Sequence, residues 1–149
     1  MSLQEEARLE AAKVPGYIEK WQSVFFLQAW RIKHEFVERG QFCDEHNQLA
    51  NVAWNLENRT ATISLTKPED LDKIFGEPWK DESTDYESVI VHELIHIFLA
   101  EMCVLFNHTV DRLAPGEAKI LRDRFDLALE QTTEAMTRAF TGIERRDRQ

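Results

Sequence analysis

Apolar positions recur along the chain with two periods, and the places where the period changes mark its elements. The opening stretch MSLQEEARLEAAK is acidic and amphipathic and predicts a loose helix within residues 1–15, punctuated by Pro15-Gly16. Tyr17, Ile18, Trp21, Val24, Phe25 and Leu27 then follow helical spacing as far as Ala29. At Trp30 the period drops to two. Trp30, Ile32, His34 and Phe36 alternate with Arg31, Lys33 and Glu35, a strand pattern that Arg39-Gly40 ends. Cys43–Gln48 is polar and reads as a loop. Val52, Trp54 and Leu56 alternate next, and after a turn at Glu57-Asn58-Arg59 so do Ala61, Ile63 and Leu65, predicting a hairpin.

The segment from Lys67 to Asp85 holds Pro68, Gly76 and Pro78 among many acids and reads as a connection with one helical turn at Glu69–Ile74. Thr84-Asp85-Tyr86-Glu87 fits a capping box, Thr84 as cap and Glu87 reaching back, so a helix should start near Asp85 and run to about Leu105. Asn107–Pro115 breaks it. A final helix follows to Phe140, with Leu121, Phe125, Ala128, Leu129, Thr132, Met136, Ala139 and Phe140 as its apolar stripe. The tail IERRDRQ is charged. These elements predict one α+β domain over residues 1–149. A small antiparallel or mixed sheet at 30–65 packs on a helix at 85–106, and a long C-terminal helix at 115–141 crosses behind.

Composition narrows the function. The chain is 43% hydrophobic with four Trp and nine Phe, enough for a core at one-domain size. Its 27 acidic against 18 basic residues, formal charge -9, argue against nucleic-acid partners and anionic membrane surfaces. No segment has the purity of a membrane span, and the N-terminus lacks the basic start of a signal peptide, so a cytoplasmic location is expected. Cys43 and Cys103 form no CxxC pair and read as reduced thiols. Asn58-Arg-Thr and Asn107-His-Thr match the glycosylation pattern by chance on that reading.

One feature resists the bland reading. The run VIVHELIHIFL is almost wholly apolar, yet His92, Glu93 and His96 stand in its middle. Burying a polar group without a partner costs roughly 2–7 kcal/mol, so these residues need either a protein network or an ion. HELIH is HExxH. On a helix the two imidazoles lie one turn apart on one face and can share a metal, for which zinc with nitrogen ligands is the natural choice. Glu93 need not bind it. Its carboxylate can take a proton from a water whose pKa the metal lowers from about 16 to about 7. Leu99 and Met102 stand where HExxHxxGxxH would need glycine and a third histidine, so that class is excluded. A third ligand can be a carboxylate of the last helix. Asp126, Glu130 and Glu134 are the candidates. Glu130 borders the apolar stripe and Glu134 points nearer its opposite side, so helical spacing prefers Glu130 or Asp126. His108, Tyr86 and His34 could stabilise an oxyanion, though nothing in their spacing marks them.

With its segments WRIKHEF, ANVAWNLENRTATISL, ESVIVHELIHIFL and EQTTEAM, the chain resembles minimal gluzincin-type zinc metallopeptidases, including short zincin-like proteins of phages and prophages. The resemblance spans about Trp30 to Phe140, and HELIH is its specific motif. It implies a zincin-like fold and a zinc ion (Zn2+) held by His92, His96 and Glu130, with Glu93 as base. The expected function is that of a hydrolase, a zinc metalloendopeptidase cutting a peptide or protein substrate through a metal-activated water. The rival is a non-catalytic zincin-fold interaction protein in which zinc is structural or absent. A fourth ligand from His108 or Cys103 would mark a structural zinc. A third reading is an adaptor in which HELIH is accidental.

Overall fold

The computed structural model describes residues 2–38, 49–71 and 85–147. Helix α1 (Leu3–Ala12) begins at a capping box. The Ser2 hydroxyl accepts from the Glu5 amide, and the Glu5 carboxylate accepts from the Ser2 amide at 2.8 Å. Helix α2 (Val14–Val24) follows after Lys13 alone. Pro15 therefore stands inside the first turn of α2, where its missing N–H removes no helical bond, and Pro15-Gly16 opens the second helix instead of separating two. The helix expected to reach Ala29 stops at Val24, because Phe26 adopts a left-handed backbone (φ 56°). Phe25 and Leu27 are buried all the same, on the turn that feeds the sheet.

The sheet is mixed. Strands β1 (Arg31–Val37), β2 (Ala50–Asn55) and β3 (Thr60–Thr66) lie in the order β1-β3-β2. The expected hairpin is the antiparallel β2–β3 pair, and β1 runs parallel to β3. Register places Ile32, His34 and Phe36 beside Ala61, Ile63 and Leu65, and these beside Trp54, Val52 and Ala50. With side chains alternating, that is one apolar face. The other carries Lys33, Glu35, Asn51, Thr62 and Ser64, and Ser64 donates to Glu35 across it at 2.7 Å. Only one face therefore meets the core. After β3 the chain passes through Lys67 into a 3-10 turn, Pro68–Asp70, at the start of the stretch expected to hold a helical turn. The expected loop at Cys43–Gln48, the end signal Arg39-Gly40 and most of the connection before Asp85, Thr84 included, lie outside the described residues.

The long helix expected at 85–106 is two helices. Helix α3 (Tyr86–Phe98) and helix α4 (Ala100–Val110) meet at Leu99 with a bend of 48°. Asp85, not Thr84, caps α3, accepting from the Ser88 amide at 2.8 Å. Glu87 is buried and accepts from the Trp21 indole at 3.0 Å and from Lys20 at 3.1 Å, tying α3 to α2. Ile90, Val91, Leu94, Ile95 and Ile97 of α3 are fully buried, and the helix packs on β2 and β3, on α2, and on α5 (Pro115–Asp147). The α5 face that does this packing matches the expected stripe at Phe125, Leu129, Met136 and Phe140, which are half-buried, and is rotated from it elsewhere. Ala118, Thr133, Thr137 and Thr141 are buried, whereas Leu121, Ala128, Thr132 and Ala139 are exposed. Among the described residues no single helix is long and apolar enough to cross a membrane.

Candidate metal centre

Helix α3 carries the two histidines because its other faces are committed to the core. Ile90, Val91, Leu94 and Ile95 point into the protein, leaving His92 and His96 on the strip that faces α5. Both are half-buried, and their Nε2 atoms approach to 3.2 Å. From α5, Glu130 extends between them, with Oε1 3.0 Å from His96 Nε2 and Oε2 3.5 Å from His92 Nε2. Each of His92, His96 and Glu130 thus offers one donor atom within 4.8 Å of the others.

These distances suit a small tetrahedral ion. Nitrogen and oxygen ligands held at about 2.0–2.1 Å in a tetrahedron stand about 3.4 Å from one another. The observed separations of 3.0, 3.2 and 3.5 Å bracket that spacing, and two imidazoles with one carboxylate form a zinc-type donor set. The residues fit zinc.

Glu134 also belongs to the site. It lies one helical turn beyond Glu130, and its carboxylate is 3.3 Å from His92 Nδ1. Contrary to the expectation from helical spacing, it does not point to the opposite side of α5. A carboxylate on Nδ1 holds the proton there and turns the Nε2 lone pair toward the ligand cluster. The signal was present in the sequence, since Glu130 and Glu134 share the one-turn spacing of His92 and His96. Asp126, the other candidate, is exposed and stands outside the donor group, near Cys103.

The charges respond to this crowding. Hydrogen bonds from His92 and His96 hold the Glu130 carboxyl far below the usual carboxylate range. Burial pulls His92 down, but Glu130, Glu93 and Glu134 together outweigh it and leave the imidazole raised. Glu93 is 7% exposed, and burial raises its carboxyl. Among the described residues it accepts no hydrogen bond. A buried carboxylate with no fixed partner and a raised pKa is ready to accept a proton and give it up again.

The remaining candidates are elsewhere. Tyr86 is buried and donates to the Thr66 carbonyl at 2.8 Å, so its hydroxyl is occupied. His34 lies on the packed face of the sheet, edge-on to Phe36. His108 is exposed on α4, Cys103 is half-buried there, and neither joins the donor group among the described residues. No protein-family model matches the chain, and no curated protein or solved structure matches it.

Proposed function

We propose that this protein is a zinc-centred hydrolase of the zincin type. Within that class the reading we adopt is a metallopeptidase, acting on an extended peptide or protein segment. The observation that carries it is the convergence of His92, His96 and Glu130 at 3.0–3.5 Å beside a buried Glu93 that accepts no hydrogen bond among the described residues. Zinc bound there supplies a Lewis acid that polarises a carbonyl and lowers the pKa of water to about 7.

The chain's own residues do the rest. Glu134 fixes the tautomer of His92. Glu93 takes the proton from the attacking water and hands it to the leaving amine, a role that burial prepares by raising its carboxyl. Strand β2 packs against α3 and is an outer strand of the described sheet, with β3 on one side only. The backbone groups on its outer side, unpaired among the described residues, suit a substrate bound as an added strand, which gives affinity with little dependence on side chains. The acidic balance of the chain keeps nucleic acid out of this reading.

The test is metal content and hydrolysis on the untagged protein. One zinc per chain is expected, with chelator-sensitive cleavage in a peptide library. Glu93→Gln should retain the zinc and lose the cleavage. Zinc without cleavage of any peptide would make the metal structural, and cleavage by Glu93→Gln at the wild-type rate would sink the assigned mechanism.

A further inference from the structure

Helix α5 has one covered side along its first half and one bare side. Helix α4 covers the first, where Val110 and Ala118 are buried and the Phe106 and Phe125 rings stack at 3.9 Å. On the bare side Ile120, Leu121 and Leu127 are 57%, 40% and 60% exposed, three large aliphatic side chains within two turns of helix.

The charges around them are arranged in a particular way. Glu117 and Arg124 share this face and lie equally far from the midpoint between Ile120 and Leu121. Neither forms an ion pair among the described residues, although their neighbours do: Lys119 with Asp123, and Arg122 with Asp111. A two-fold axis through that midpoint, with two copies of α5 antiparallel, sets Glu117 of each copy against Arg124 of the other. It also stacks Ile120 on Leu121. The face is complementary to itself, the property that an isologous interface requires.

We infer that the bare side of α5 is a homodimer interface, packed antiparallel on a second copy about this axis. A lipid surface does not fit, because both signs of charge stand among the apolar residues and the chain carries -9 overall. The inference is independent of the metal site.

Sedimentation equilibrium on the full chain tests it. Wild type should show a monomer–dimer equilibrium. Glu117→Arg sets two arginines face to face twice per dimer and should raise Kd about tenfold, as should Arg124→Glu. The double variant with both changes should return Kd to near the wild-type value. All these positions are exposed, so circular dichroism should show an unchanged fold. A wild type that stays monomeric at every concentration overturns the proposal. So does a dimer indifferent to the single reversals, or one that the double variant fails to restore, since each would place contact elsewhere or in another register.

Discussion

The contact between Glu134 and His92 makes a quantitative prediction about metal affinity. Its carboxylate is 3.3 Å from Nδ1, on the far side of the imidazole from the Glu130 contact. Removing an outer-sphere partner of a ligating histidine costs about 10–100-fold in metal affinity. Here the lower end applies. The Glu134 side chain is 44% exposed, and it also meets Arg138 at 3.3 Å, so water and an opposing charge already share it. Glu134→Ala should therefore weaken zinc binding about tenfold, equivalent to about 1.4 kcal/mol. Glu134→Gln keeps an oxygen that can accept from Nδ1 and should recover most of that loss.

Glu130→Ala removes a donor from the cluster itself and should exceed the ~100-fold ceiling of outer-sphere changes. The assay is zinc competition against a chromophoric chelator at fixed pH, with circular dichroism to establish that each variant is folded. The ranking of the two alanine variants carries the information. If Glu134→Ala costs as much as Glu130→Ala, then Glu134 is a ligand, His92 binds through Nδ1, and the tautomer argument is wrong. If it stays within twofold of wild type, the 3.3 Å contact is a surface ion pair without consequence for the metal.

Two further outcomes are expected. In the metal-free protein the raised pKa of His92 contributes stability that is complete below 6.5 and lost as pH rises through its folded value. Glu93, raised by burial, acts in the same direction, whereas Glu130 is lowered and contributes stability lost only as pH falls below 4.5. The chelated protein should thus melt lower at pH 8 than at about pH 5–6, and zinc-loaded protein should show the opposite trend because protons compete for its ligands. Parallel pH trends in the two forms would refute this. Separately, Thr133 Oγ1 is buried with no hydrogen-bond partner among the described residues. Thr133→Val should leave the fold intact and raise the unfolding free energy by about 1 kcal/mol in urea titration, and a loss of stability would show that the hydroxyl has a partner.

Much of the fold and of the site could be read from residue order alone. Alternation at Trp30–Phe36 and at Val52–Leu65 predicts all three strands and their apolar face, because a half-buried strand must alternate. HELIH predicts the pair of imidazoles for a similar reason, since one helical turn separates them. The parallel β1–β3 pairing was not legible, as the same alternation serves either strand direction. Nor was the bend at Leu99, where no glycine or proline interrupts the apolar run. Sequence also misplaced the cap of α3, because Thr84 and Asp85 are both good caps and only the backbone path decides between them.

The misjudged face of α5 has a more instructive cause, and it is the one that hid Glu134. The helix carries apolar residues on two sides, Phe125, Leu129, Met136 and Phe140 against the body of the protein and Leu121, Leu127 and Ala128 toward solvent. A single stripe drawn through both is rotated away from the true contact line. That line runs through Thr133, Thr137 and Thr141, residues that hydropathy scores as surface. Thr137 and Thr141 can be buried because a helical threonine returns its hydroxyl to the carbonyl one turn back. Thr137 donates to the Thr133 carbonyl at 2.8 Å and Thr141 to the Thr137 carbonyl at 2.7 Å. Satisfied in this way, a threonine packs with nearly the shape of valine. Once the line through Thr133 is taken as the contact with α3, the glutamates on either side of it in sequence, Glu130 and Glu134, both come within reach of His92. The buried threonines and the second carboxylate of the site are thus one feature of the helix, and the outward aliphatic residues that obscured it are free to serve a separate contact.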